Sequence, residues 1–63
     1  MVNLKVIRKQ KGMTQEALSA FSGVNRVSIA KYETGKSDPS LETAVKLANA
    51  LGVTVDELIG KAG

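Results

Sequence analysis

The chain has 63 residues, a net charge of +3 and an isoelectric point near 9.5, values that predict one small basic domain, residues 1–63. It contains no cysteine and no histidine, which excludes a disulfide framework and leaves only carboxylates as ligands for a metal such as zinc. No apolar run approaches the roughly 20 residues that a membrane span requires, and the N-terminus lacks the apolar segment of a signal peptide. We therefore expect a soluble, cytoplasmic protein with no membrane partner, no metal and no other cofactor.

The basic residues concentrate in the first part of the chain. Residues 1–36 carry seven lysines and arginines against two glutamates, a balance of +5, whereas residues 37–63 carry two basic against four acidic residues, a balance of −2. This asymmetry favours an anionic partner, such as nucleic acid, for the N-terminal half.

Glycines and capping residues divide the chain into five predicted helices, at about residues 3–11, 15–22, 26–34, 41–51 and 55–59. Leu4 and Ile7 form the inner face of the first helix. Thr14 is the predicted N-cap of the second helix, and Gly23 ends it. The apolar stripe of this second helix comprises Ala17, Leu18 and Phe21.

The third helix begins at the predicted cap Asn25, with Ile29 and Tyr32 facing inward. A loop before Pro39 follows, because the residue that precedes a proline is biased away from helix. Ser40 caps the fourth helix, whose apolar positions repeat at spacings of three and four: Leu41, Ala44, Val45, Ala48 and Leu51.

Thr54 and Glu57 form a capping-box pattern at the start of the fifth helix, whose apolar residues are Val55, Leu58 and Ile59. No segment shows the alternation of apolar and polar residues that is typical of a strand. The fold class is therefore expected to be all-α, a compact five-helix bundle.

A three-residue break, Gly23-Val24-Asn25, separates the second helix from the third. A turn this short forces the two helices to cross steeply, as in a helix-turn-helix, in which the second of them enters the major groove of DNA. The outward side of the third helix carries Arg26, Val27, Ala30 and Lys31, with Asn25 at its start. An arginine can donate two hydrogen bonds to guanine, a valine can contact a thymine methyl group, and a lysine can reach guanine or phosphate.

The chain resembles the Cro and phage-repressor (Xre-type) helix-turn-helix domains over about residues 3–59. The resemblance rests on Leu4-x-x-x-Arg8, Gly12-Met13-Thr14-Gln15, Leu18, Gly23-Val24, Ser28-Ile29, Tyr32-Glu33-x-Gly35-Lys36, Pro39-Ser40-Leu41-Glu42-Thr43 and Leu47-Ala48-x-x-Leu51-Gly52-Val53. It implies a lambda-repressor-like DNA-binding domain, the docking geometry described for that family, and double-stranded DNA as the partner.

The resemblance also implies roles for individual residues. The base-reading residues would be Arg26, Val27 and Lys31, with Asn25 beside them. The phosphate-contacting residues would be Gln15, Thr34, Lys36 and, through the amides at the start of the fourth helix, Ser40. Arg8 and Glu33 correspond to a structural ion pair that ties the first helix to the end of the third.

Two residues depart from the family pattern. Ser19 replaces the usual alanine and needs a hydrogen-bond partner if it is buried. Phe21 occupies a position that is often polar, so it is either exposed or repacks the small core. The expected core residues are Leu18, Ile29, Leu41, Ala48 and Leu51. Val53, Val55, Leu58 and Ile59 are expected either to belong to the core or, at least in part, to form a self-association patch.

The sequence predicts a regulator, most simply a repressor, that binds an inverted-repeat operator as a homodimer, with no small-molecule effector apparent. The alternative is an antitoxin-like or other protein-interaction module that uses the apolar C-terminal end, which exposure of Phe21, Leu58 or Ile59 would favour. An enzyme is not expected, because the chain lacks histidine, cysteine and a glycine-rich phosphate loop.

Overall fold

The computed structural model describes residues 1–60, which form a bundle of five helices without a strand. The helices are α1 (Leu4–Gln10), α2 (Gln15–Ser22), α3 (Arg26–Thr34), α4 (Leu41–Leu51) and α5 (Val55–Ile59). The all-α prediction is confirmed, and only α1 differs from its predicted bounds, by one residue at each end. Within this part of the chain no helix is both long and apolar enough to cross a membrane.

Four of the helices begin at a side-chain cap, and the capping residues are Thr14, Asn25, Ser40 and Thr54. Each cap satisfies a backbone N–H group that has no partner inside the helix, which stabilises a helix by about 1 kcal/mol. At α5 the capping box is complete, because Thr54 accepts from the amide of Glu57 while the Glu57 side chain accepts from the amide of Thr54. Local capping chemistry therefore sets the start of α2 to α5.

The start of α1 is held by contacts with α5 instead of by a cap. The backbone N–H of Asn3 donates to the carbonyl of Leu58 at 3.0 Å, and its side-chain amide donates to the carbonyl of Glu57 at 3.0 Å. These bonds join the beginning of the chain to the last helix of the bundle and satisfy carbonyls at the C-terminal end of α5.

The core is aliphatic, and every helix contributes one fully buried side chain to it. These residues are Leu4, Leu18, Ile29, Leu47 and Leu58. Burying a side chain of this kind stabilises the fold by about 1.5–3 kcal/mol. Tyr32 packs against the edge of the cluster and is partly buried.

The buried face of α4 differs from the predicted one. Leu41 was expected in the core but is 73% exposed, and Val45 is 40% exposed. The buried residues are Ala44, Leu47, Ala48 and Leu51. The predicted apolar face and the observed buried face both fit a helical period of 3.6 residues. The observed face is the one that packs against α2 and α5. The first turn of α4 therefore leaves its leucine on the surface.

Candidate nucleic-acid interface

The turn between α2 and α3 is held by two serine hydroxyls of α2. Gly23 ends α2 with a φ of +74°, a left-handed conformation that glycine adopts without strain. Val24 follows with its side chain buried. Ser19 Oγ donates to the carbonyl of Val24 at 2.6 Å, and the amide of Val24 donates to Ser22 Oγ at 3.1 Å. Ser19 thus has the partner that its position requires, and both backbone groups of the middle turn residue are satisfied.

The outer side of α3 forms an exposed ridge, which we call the α3 ridge: Arg26, Val27, Ala30 and Lys31. Arg26 and Lys31 are exposed, Ala30 is half-buried, and Val27 is exposed by 56%, a large fraction for an apolar side chain. On the opposite side of the helix Ile29 is fully buried. Because α3 packs on α2 and α1 through that opposite side, the α3 ridge faces away from the bundle.

The α3 ridge carries only positive charge, because the single acidic residue of α3 is turned inward. That residue, Glu33, accepts from Arg8 Nε at 2.6 Å and from Arg8 Nη2 at 3.1 Å. The two side chains are only 3% and 8% exposed, respectively. A two-point arginine–carboxylate pair of this kind is among the strong hydrogen-bonded contacts in proteins.

The pairing changes the ionisation of both groups. Burial acts to raise the pKa of the Glu33 carboxyl, but hydrogen bonds from Arg8 and Gln15 outweigh it, and that pKa lies below its usual value. The hydrogen bond to Glu33 raises the pKa of Arg8, against the effect of burial. Both residues therefore remain ionised at neutral pH, and their charges compensate each other.

Gln15 belongs to the same network as this ion pair. Its Nε2 donates to Glu33 Oε1 at 3.1 Å, while Arg8 Nη1 donates to the carbonyl of Met13 at 2.8 Å. The ion pair therefore fixes both the turn before α2 and the first side chain of α2, which is the expected phosphate contact. Sequence reasoning missed this link, since Gln15 and Glu33 are 18 positions apart and no local pattern relates them.

The remaining candidate DNA contacts lie at helix ends. Asn25 Oδ1 accepts from the amide of Val27 at 2.8 Å, so this oxygen is engaged as the cap of α3. Thr34 and Lys36 are exposed at and beyond the C-terminal end of α3, and the Thr34 hydroxyl donates to the carbonyl of Ala30 at 3.1 Å. The Ser40 hydroxyl caps α4, so a phosphate there would be bound by backbone amides.

The expected self-association patch is largely inside the molecule. Leu58 is fully buried, and Val53 and Val55 are partly buried against the core, because α5 packs onto α1 and α4. Of these four residues only Ile59 is substantially exposed, at 42%, so Leu58 follows the alternative of a core residue. Phe21, on α2, is exposed at 73%. Two of the three side chains whose exposure would favour an interaction module are thus at the surface.

Comparisons with a family model and with individual proteins both point to helix-turn-helix proteins. A family model described as helix-turn-helix matches residues 4–58. The chain is 45% identical over 56 residues to the SPbeta prophage-derived uncharacterized HTH-type transcriptional regulator YonR of Bacillus subtilis, an alignment that covers 89% of this chain and 52% of the relative.

Two further relatives are named as phage repressors. The cryptic phage CTXphi transcriptional repressor RstR of Vibrio cholerae is 39% identical over 54 residues, which cover 86% of this chain and 48% of the relative. The immunity repressor protein of Bacillus phage phi105 is 34% identical over 58 residues, which cover 92% of this chain and 40% of the relative. The chain therefore spans about half the length, or less, of these three relatives.

Proposed function

Because the chain belongs to the helix-turn-helix family, we propose that it is a sequence-specific DNA-binding regulator, which acts as a transcriptional repressor in the cytoplasm. The observation that carries the proposal is the α3 ridge, which is exposed, free of negative charge and supported from beneath by α2. The names of the phage-repressor relatives support the choice of repression.

In the proposed complex α3 lies in the major groove of double-stranded DNA. A helix with its side chains is about 10–12 Å across, and the groove is about 12 Å wide. Arg26 donates to guanine O6 and N7, Val27 contacts a thymine methyl group, and Lys31 contacts guanine or a phosphate. Ala30 is small enough to let the helix backbone approach the bases closely.

Phosphate contacts fix the position of α3 on the duplex. Gln15 is preoriented for such a contact by its bond to Glu33, and its second amide hydrogen donates to a phosphate oxygen. The other contacts are made by Thr34, Lys36 and the amides that follow Ser40. Each lysine–phosphate contact releases condensed counterions, so affinity falls as salt concentration rises.

The proposed repressor binds an inverted repeat as a homodimer. One recognition helix buries too small an area for tight and specific binding at physiological salt, whereas two half-sites supply twice the contacts. A two-fold axis would set the two copies of α3 about 34 Å apart, one turn of the DNA helix. A dimer on such a site would repress by blocking access of the polymerase to the promoter.

Selection of binding sites from random duplexes, followed by mobility-shift titration, tests the proposal. Arg26→Ala is expected to weaken binding to the selected site by about 1–3 kcal/mol, because a two-point guanine contact is lost. Lys9→Ala is the matched control, since it removes an exposed cation of α1 outside the α3 ridge. Selection that yields no consensus, or an equal loss on selected and random DNA for Arg26→Ala, would contradict the base-reading role.

A further inference from the structure

The side chains of the α3 ridge are hydrogen-bond donors or apolar groups. Arg26 and Lys31 are exposed cations, and neither a guanidinium nor an ammonium group has an acceptor atom. Val27 and Ala30, the other two residues of the α3 ridge, are apolar. All four residues belong to the described part of the chain, and none of them supplies a side-chain acceptor. The α3 ridge therefore donates hydrogen bonds to the bases but has no side chain that accepts one.

Asn25 adds a donor to this set, because its acceptor is already engaged. Its Oδ1 accepts from the backbone N–H of Val27 at 2.8 Å, and the contacting atom must be the oxygen, since an N–H group bonds only to an acceptor. An asparagine that recognises adenine accepts from N6 while it donates to N7, so that contact needs the same oxygen. The cap directs the oxygen at the backbone of α3, which leaves the Nδ2 hydrogens of the exposed side chain for DNA.

The hydroxyl groups of α3 lie outside the α3 ridge, on Ser28, Tyr32 and Thr34. Tyr32 packs against the core. Thr34 is the last residue of α3, about 12 Å along the helix axis from Arg26, and its hydroxyl donates to the carbonyl of Ala30 at 3.1 Å. In a helix-turn-helix it is the N-terminal part of the second helix that contacts the base edges. Ser28 is half-buried and lies two positions from Arg26, a spacing at which side chains on a helix do not face each other.

On the basis of the function proposed above, we propose that the α3 ridge and Asn25 bind only the acceptor atoms and methyl groups of the major groove. They make no hydrogen bond to the amino groups of adenine and cytosine. The acceptors of the groove are N7 and O6 of guanine, N7 of adenine and O4 of thymine, and the methyl group is that of thymine. The half-site is thus recognised through its guanines and thymines, which carry most of these groups.

The same donors also reject base pairs in the reverse orientation. Exchange of G·C for C·G places the cytosine amino group where guanine presented O6. The guanidinium of Arg26 then faces a donor, and it has no acceptor with which to adapt. A desolvated donor without a partner weakens the complex, so specificity arises from this mismatch as well as from the favourable contacts.

Deletion of single groups from the bases of the selected site tests the proposal. A consensus sequence alone does not test it, because every base pair contains one base with an amino group in the major groove. Two analogues lack that amino group and still form a base pair: 2-aminopurine in place of adenine, and pyrimidin-2-one in place of cytosine. Two others delete the groups that the protein is expected to contact, since 7-deazaguanine lacks the acceptor N7 and uracil lacks the thymine methyl group. Each analogue is placed at one position of the half-site at a time.

Mobility-shift titration of these duplexes gives the dissociation constants. At the guanine that Arg26 contacts, 7-deazaguanine is expected to weaken binding at least about threefold, because one hydrogen bond is lost. At the thymine that Val27 contacts, uracil is expected to weaken binding about three- to fivefold, because a buried methyl group is lost. Both amino deletions are expected to change the constant less than about threefold at every position. A larger loss from either of them, or indifference to 7-deazaguanine at every guanine, overturns the inference.

Protein variants assign each effect to a side chain. In Arg26→Ala the loss caused by 7-deazaguanine is expected to vanish at one guanine while the loss caused by uracil persists, and Val27→Ala is expected to show the reverse. Ser28→Ala is the matched control, because it removes a hydroxyl of α3 that lies outside the α3 ridge, and it is expected to bind every duplex as the wild type does. Sensitivity to an amino deletion that disappears in Ser28→Ala overturns the inference by identifying the hydroxyl as an acceptor. Either failure leaves the proposed regulator intact, whereas selection that yields no consensus contradicts the proposed function and the inference together.

Discussion

The Arg8–Glu33 ion pair gives the sharpest quantitative expectation. Arg8→Met leaves a carboxylate whose side chain is only 3% exposed without its cation, and Glu33→Leu leaves the guanidinium without its anion. Removing one partner of a buried pair costs about 3–5 kcal/mol, and a chain of this size has a total stability of about 3–9 kcal/mol. Each single variant should therefore lose at least about a third of its stability.

The double variant is expected to be more stable than either single variant. Replacing a whole buried ion pair by apolar side chains is often neutral, because the desolvation of both charges is removed along with their attraction. The interaction energy of the cycle should be at least about 2 kcal/mol. Urea unfolding followed by circular dichroism gives all four values, and Lys9→Met controls for the loss of a cation on α1 that has no acidic partner.

The stability of Arg8→Met should depend on pH with the opposite sign to that of the wild type. In the wild type the pKa of Glu33 is below the ordinary value of 4.5, so its stabilisation is complete above pH 4.5 and is lost as pH falls through the lowered pKa. In Arg8→Met burial should raise that pKa, so the variant gains stability as pH is lowered from 7 towards 5. Losses that simply add in the double variant, or an Arg8→Met protein less stable at pH 5 than at pH 7, would refute this account.

Four further changes test the turn and the DNA backbone contacts. Ser19→Ala should cost about 1–2 kcal/mol in urea unfolding, because the half-buried carbonyl of Val24 loses its donor. Ser22→Ala removes the acceptor of the Val24 amide and should lower stability by less than Ser19→Ala does, since backbone N–H groups near a turn can reach water. Gly23→Ala should cost about 1–2 kcal/mol, because φ is +74° there although a Cβ atom would meet no neighbour. Lys36→Ala should weaken binding to all duplexes alike and reduce the slope of log affinity against log salt by about one.

The helix bounds could be predicted from the sequence because they depend on local chemistry. Caps such as Thr14 and Ser40, with glycines after the helices, fix each end through bonds within a few residues. The family resemblance was confirmed by the match of residues 4–58 to the helix-turn-helix model. The predicted outward position of Arg26 and Lys31 agrees with their exposure in the structure.

The features that could not be predicted depend on contacts between distant helices. The periodicity of α4 allows two apolar stripes, and only its contacts with α2 and α5 decide that Leu41 is exposed and Leu47 buried. In the same way α5 has three apolar residues, and its contact with α1 selects Leu58 for the core. The bond from Gln15 to Glu33 joins two helices, so no spacing rule indicates it.

The distribution of the core over all five helices has a consequence for how the protein behaves in a cell. Because each helix contributes one fully buried side chain, no helix can detach without exposing the core formed with the other four. Unfolding should therefore be all-or-none. Each molecule is then either folded and able to bind its partner, or unfolded and open to proteolysis. Losses of about 1–2 kcal/mol anywhere in the interior would thus lower the number of active copies, with no change in their intrinsic affinity.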